Sequence, residues 1–317
     1  MLFTFKIKMN TINSTLLCTC MICLASAQTI LIDMSKYKTG NSPYDTKLVV
    51  FYTEMVKFLV IFMICVQQRV FNGISVHAND ALYMIPSVCY VFQNIMMFYA
   101  LSYTDPATYQ IFSQSKVVLV GILTHFILKP ITPIKQCALL LFALGMITTK
   151  LTQHTQNNRD VYGIGLVIGN SLISACSGIL NEWLLKKNDN ENIFLKNLRI
   201  YTFCVVTSGL CATNASHDGF NAITICIILV SAVTGICISF ILRYAGNIVK
   251  IICTCISSLL TAVLTACLGR YTITYAFIVG LCVMSCASYL YIHEPMSESQ
   301  KESENNESIS LIKPNPI

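Results

Sequence analysis

Apolar runs of about twenty residues alternate with short polar stretches along almost the whole chain. They fall at about residues 11–32, 46–68, 81–101, 106–128, 134–151, 161–186, 197–213, 220–241, 247–268 and 272–292. Some twenty apolar residues is the length a helix needs to cross the hydrocarbon core of a bilayer. The pattern therefore predicts an all-α membrane protein of ten transmembrane helices. The connections are short and polar, as in "DMSKYKTGNSPYD" and "TQHTQNNRD", and leave no room for a sizeable soluble domain. Residues 1–10 are expected to be a cytosolic N-terminus and residues 11–292 the helical domain. Residues 293–317, rich in Ser, Glu and Asn, are expected to form a disordered cytosolic tail.

Ten spans divide into two sets of five, and an odd number per set places the halves in opposite orientations. That is the inverted-repeat plan, which puts a binding site near the midplane between the halves. The start, "MLFTFKIKMNTINSTLLCTCMICLASAQ", imitates a secretory signal with Ala25-Ser26-Ala27 as a cleavage site. The apolar run continues to Ile32, long enough to span, and favours an uncleaved first helix.

Composition agrees with this pattern. Hydrophobic residues make up 55% of the chain, charged ones 11%, and the mean hydropathy is +0.64. Soluble domains average about 25% charged residues, so too little charge is present to cover a water-facing surface. The net charge of +6 then bears on orientation rather than on a nucleic-acid partner. With the N-terminus cytosolic, 12 Lys and Arg fall on that side and 6 on the other. Lys57, Lys116 and Lys250 remain within the membrane, and the bias puts both termini in the cytosol. Most of the 16 cysteines lie inside apolar runs, where they read as packing residues rather than a disulfide framework. On this orientation the sequon at Asn13 is cytosolic and the one at Asn214 lumenal.

The candidate chemistry lies in the charges the spans carry. A lysine at the centre of a transmembrane helix costs roughly 2.5–3.5 kcal/mol or more and marks a functional site by default. In the fourth run Tyr109, Ser113 and Lys116 stand at i, i+4 and i+7 and share one face of a continuous helix. Gln110 and Gln114 flank that face. The second run carries Glu54 and Lys57 at i, i+3, close enough to pair. The seventh offers Asn197 and Tyr201, set opposite Lys57, and "SFILRYAGNIVK" brings Ser239, Asn247 and Lys250. Structural alternatives stand beside each. Glu54–Lys57 reads equally as a self-neutralising pair, Tyr109 and Tyr201 as interfacial anchors, and Lys250 as a snorkelling end residue. Glu182 is expected to pair with Lys186. Cations in excess of acids call for an anion, with lysine as a point charge for phosphate and tyrosine as a stacking face. Metal-ligand spacing, a Walker loop, a nucleophile elbow and a dinucleotide fingerprint are missing from the sequence. A cofactor-free non-enzyme is the resulting expectation.

Several of these segments occur in an order that resembles a known family. "TEMVKFL", "TYQIFSQSK", "SACSGILNEWLLKK", "LKNLRIYTF" and "ILRYAGNIVK" are similar to motifs of the nucleotide-sugar transporters. The likeness is to the CMP-sialic acid and UDP-sugar branch of the drug/metabolite transporter superfamily, over about Ser14 to Tyr291. "YTDPATYQ" and "NLRIYTF" bring it nearest the UDP-sugar transporter-like subgroup. The resemblance implies a Golgi membrane location and exchange of a cytosolic nucleotide sugar for a lumenal nucleoside monophosphate. It implies nucleotide contacts at Lys57, Tyr109, Lys116, Asn197, Tyr201, Ser239, Asn247 and Lys250. Tyr201 or Tyr109 would stack on the pyrimidine, and Lys116 and Lys250 would face phosphate. The chain departs from the family at Asn94-Ile95, Ser113, Leu180-Asn181 and Gly246. Two further partners are implied, the lipid bilayer and a homo- or hetero-oligomer with related transporters. The rival expectation is a non-transporting membrane scaffold that keeps the fold and organises Golgi partners, since a fold alone does not establish function.

Overall fold

A computed structural model describes residues 11–36, 43–69, 78–123, 132–149, 158–186, 192–216, 218–269 and 274–293. The expected N-terminal segment and the tail beyond residue 293 lie outside them. The described residues form eleven α-helices and one 3₁₀ turn, with no strand among them. The helices are α1 (Thr11–Ser35), α2 (Thr46–Gln67), α3 (Met84–Tyr103), α4 (Pro106–Phe112), α5 (Ser115–Leu123) and α6 (Pro133–Thr148). After these come α7 (Asn158–Lys186), α8 (Ile193–Cys211), α9 (Ala222–Tyr244), α10 (Gly246–Cys267) and α11 (Tyr275–His293), with the 3₁₀ turn Ala78–Tyr83 leading into α3.

Local chemistry sets the helix starts. Asp45, Asp105, Thr132, Asn192 and Asn221 each accept a hydrogen bond from a backbone N–H of the helix they open. These N-caps satisfy donors that no intrahelical carbonyl reaches. Pro106 and Pro133 come directly after two of the caps, where a missing N–H is harmless.

By length and composition five helices can cross a membrane: Thr15–Ser35, Thr46–Gln67, Ala81–Tyr103, Val161–Leu185 and Ala222–Tyr244. Pro133–Thr148, Ile252–Cys267 and Tyr275–Leu290 are apolar but shorter. The chain is a multi-pass membrane protein, and its surface agrees. Leu140, Leu144, Val206, Leu210 and Tyr275 point outward, whereas Glu54, Gln114, Lys196 and Asn197 are fully buried. That inverts the distribution of a water-soluble protein.

The fourth run corrects the expectation of one continuous helix. It breaks into α4 and α5 at Ser113–Gln114. There the backbone tightens to 3₁₀ pairing: Gln114 N–H donates to Ile111 C=O at 3.0 Å and Val117 N–H to Gln114 C=O at 2.9 Å. At three residues per turn the chain rotates further per residue than an α-helix. Tyr109 therefore lies on α4, Ser113 at the junction and Lys116 on α5, rather than on one uninterrupted helix.

α3 packs on α7 and on α8, and α1 packs on α9 and α10. α2 lies against α8 and α9, α4 meets α10, α5 meets α7, and α6 pairs with α11. Ile61, Val91, Leu101, Ile200, Ile227 and Leu242 anchor the main core. A second core, around Ile111, Phe142, Phe277 and Met284, joins α4 and α6 to α11. In the α6–α11 pair the backbones nearly touch: a Cβ placed on Gly280 would lie 2.6 Å from the Gly145 carbonyl oxygen. Without a hydrophobic drive between helices in lipid, such close approach of small residues is what makes packing favourable.

Candidate functional site

Two polar clusters occupy the bundle interior. The first is built on α2. Glu54 is wholly buried, and its Oε1 accepts from Lys57 Nζ at 2.5 Å and from Asn94 Nδ2 of α3 at 3.0 Å. Its Oε2 is buried with no hydrogen-bond partner. Lys57 lies 5.2 Å from the centroid of the Tyr201 ring on α8, within cation–π range. The Tyr201 hydroxyl in turn lies 3.0 Å from Ser239 Oγ of α9.

Gly235 of α9 makes room for this arrangement, since a Cβ there would come within 2.9 Å of Lys57 Cδ. Beside it Gln28 of α1 donates to Ser231 Oγ at 2.9 Å. Gln28, Thr53, Lys57, Asn94, Ser231 and Gly235 help to line a cavity of about 70 Å³. Asn197, one turn before Tyr201, is wholly buried, and neither its Oδ1 nor its Nδ2 has a partner.

The second cluster surrounds the α4–α5 break. Gln114 Nε2 donates to the Thr254 carbonyl of α10 at 2.8 Å, and Cys255 Sγ lies 3.6 Å from Gln114 Oε1. Lys116 is half-buried on α5, in electrostatic contact with Cys255, and makes no hydrogen bond or ion pair among the described residues. Lys250 is buried on α10, one turn before Thr254. Ser115 Oγ and Asn170 Oδ1 are buried close in sequence to the break and on the facing α7, both without a partner.

The structure thus brings Lys57, Tyr201 and Ser239 together, and places Lys116 two residues after Gln114 and Lys250 one turn before Thr254, the two residues that join the break to α10. Tyr109 is buried on α4 within the main core and is not an interfacial anchor. Asn247 sits in the first turn of α10, with its side chain outside the described ones. The same holds for the expected Glu182–Lys186 pair. The Glu54–Lys57 pair is formed, as the self-neutralising alternative expected.

Sequence reasoning missed Gln28, Ser231 and Gly235, and singled out Asn94 only as a departure from the family pattern. The signal available was weak: a glutamine among small residues in "ASAQT", and a glycine in mid-helix in "AVTGICIS".

Lysines and amides thus lie in the interior of a helical membrane bundle whose outer surface is largely apolar. The chain belongs to the nucleotide-sugar transporter family, whose match runs over residues 8–292. CMP-sialic acid transporter 2 of Oryza sativa subsp. indica is 29% identical over 289 residues, covering 84% of this chain and 80% of that protein. CMP-sialic acid transporter 1 of Arabidopsis thaliana is 29% identical over 86% of this chain and 87% of its own. A UDP-N-acetylglucosamine/UDP-N-acetylgalactosamine transporter of Caenorhabditis elegans is 28% identical over 73% of this chain and 74% of its own. One crystal structure, described only as that of a protein, superposes with a TM-score of 0.62 at 12% identity. It covers 89% of this chain and 98% of that one, and shares the fold alone.

Proposed function

We propose that this chain is a pyrimidine nucleotide-sugar antiporter of the Golgi membrane. It exchanges a cytosolic UDP-sugar, or a CMP- or CDP-linked sugar, for a lumenal nucleoside monophosphate by alternating access. Ten spans are arranged as two inverted five-helix repeats, counting α4 and α5 as one span, with both termini cytosolic. The helix contacts support the repeat. Exchanging each span for the one five places on turns the α3–α7 contact into α9–α1. It turns α2–α9 into α8–α3 and α1–α10 into α7 on the α4–α5 span, and all of these contacts occur.

The observation that carries the substrate class is Lys116, an ammonium within the bundle that no described protein group neutralises. A phosphate completes it, whereas a lipophilic cation would be repelled. Tyr201 and Asn197 supply a ring face and unspent amide hydrogen-bonding capacity for a pyrimidine. The cavity of about 70 Å³ beside Lys57 supports alternating access. Drug-sized ligands need roughly 300–1,000 Å³, so a nucleotide sugar enters only when the surrounding helices part. Exchange results in this reading because reorientation without an anion leaves the Lys116 charge uncompensated.

The test is uptake of labelled UDP- and CMP-sugars into proteoliposomes preloaded with UMP or CMP. Trans-stimulation by the preloaded monophosphate is expected. Its absence for every pyrimidine pair, together with no thermal stabilisation by CMP or UMP, would overturn the reading and favour the scaffold.

A further inference from the structure

We infer that Glu54 is a proton site linked to nucleotide binding: when Lys57 leaves it for a phosphate, its carboxylate takes a proton from solvent. The proton is released when the ion pair re-forms. The inference rests on the nucleotide-transporter reading, in which Lys57 reaches bound nucleotide.

Glu54 is wholly buried, and Lys57 is the ion-pair partner it has among the described residues. Among the described residues the elements packed on α2 form no second ion pair with it. α8 presents the Tyr201 ring and the Cys204 thiol, both in electrostatic contact with Glu54. α3 presents the Asn94 amide, with Tyr90 engaged by Asn181 at 2.7 Å. α9 presents the Ser239 hydroxyl and the bare backbone of Gly235. The remaining charged groups of α8 and α9 are held elsewhere. Lys196 and Arg243 donate to the Leu185 carbonyl, and Arg199 lies over the Tyr83 ring.

Lys57 is placed to leave. It lines the cavity, and Gly235 keeps its path open, since a Cβ there would lie 3.3 Å from Nζ. Once the ammonium turns to a phosphate, Glu54 keeps the Asn94 amide and the weak Cys204 thiol donor, and no counter-ion among the described residues. An isolated buried carboxylate does not persist as an anion; it neutralises by taking a proton. The unpartnered Oε2 is the oxygen free to form the O–H bond, while Asn94 continues to donate to Oε1. One proton enters from solvent on binding and returns to solvent on release, and no electron moves.

The bound form then holds one more proton than the free form, so raising the pH weakens binding. The loss reaches about tenfold per pH unit within the range where Glu54 is protonated only in the complex. It fades on either side of that range.

Calorimetry of the purified full chain in two buffers of different ionisation enthalpy tests this. The probes are UDP-N-acetylglucosamine and CMP-sialic acid, whose esterified phosphates do not titrate near neutral pH. Uptake of about one proton per ligand is expected in the wild type and none in Glu54→Gln. Binding without proton uptake overturns the inference and leaves the nucleotide reading intact. Uptake that survives in Glu54→Gln but is lost in Lys116→Met puts the proton on Lys116 and also overturns it. Failure to bind either probe or any pyrimidine monophosphate removes the reading and the inference together. Should Glu54→Gln not fold, difference infrared spectra of the wild type decide: a protonated carboxyl band must appear on ligand addition, and its absence refutes the proposal.

Discussion

Lys57 and Lys116 are both interior lysines of an apolar bundle, yet the structure treats them differently. Lys57 meets a carboxylate, a tyrosine ring and a glycine that makes way for it. Lys116 has no ion pair or hydrogen bond among the described residues and sits on a short helix behind a tightened backbone turn. In the ligand-free fold the first charge is already compensated. The second has no compensating group among the described residues. A buried cation is therefore an indication of function only after its counter-ions have been counted.

That contrast can be broken by mutation, and the largest effect is expected at Lys116. Lys116→Met should lower nucleotide exchange by roughly a hundredfold, as for truncation of one member of a desolvated charge pair. It should leave the melting temperature of the ligand-free protein unchanged or raised, because it removes an uncompensated charge. Exchange assays and melting curves on the same preparation check both halves. An equal loss of stability would mean that Lys116 is structural.

Glu54→Ala should do the reverse. It strands Lys57 inside the bundle and should destabilise the fold by about 3–5 kcal/mol. Combining it with Lys57→Met should recover much of that loss, since removing both charges is far milder than removing one. Melting in detergent reads the recovery, and a double variant no better than the single one would show the pair to be unimportant.

Smaller effects are expected where only space changes. Gly280→Leu forces a side chain into the Gly145 carbonyl and should cost about 1–3 kcal/mol of stability, with α6 and α11 separating first. Gly235→Ala should cost about 1 kcal/mol or less, because the group it strikes is a flexible lysine stem. Its clearer signature is a weakened affinity for nucleotide, measured by titration against the wild type.

Much of this was legible in the sequence because membrane helices are written in simple terms. The described helices fall within or beside the apolar runs, and the five-plus-five division set Lys57 against a polar segment of the seventh run, where Tyr201 lies. The break after Phe112 was not legible. No proline or glycine marks it, and the buried Gln114 amide at that point bonds to the backbone of α10, 140 residues away. Gly235 was hidden for a related reason. Its use lies in what another helix inserts beside it, and a single chain position carries no trace of that. The pairing of Glu54 with Lys57 was readable as one of two options because both sit on one helix. The identity of Asn94 as its third member required the α2–α3 contact.

The carbonyl of Leu185 receives both the Lys196 ammonium and the Arg243 guanidinium at the last turn of α7. Positive groups are favoured at such a helix end, so the ends of three helices are tied at a single oxygen atom. Whatever parts α7 from α8 and α9 must undo two charged hydrogen bonds together. The knot therefore fastens that end of the bundle, and Arg243→Gln, which removes one of its two bonds, should loosen it without touching the residues that line the cavity.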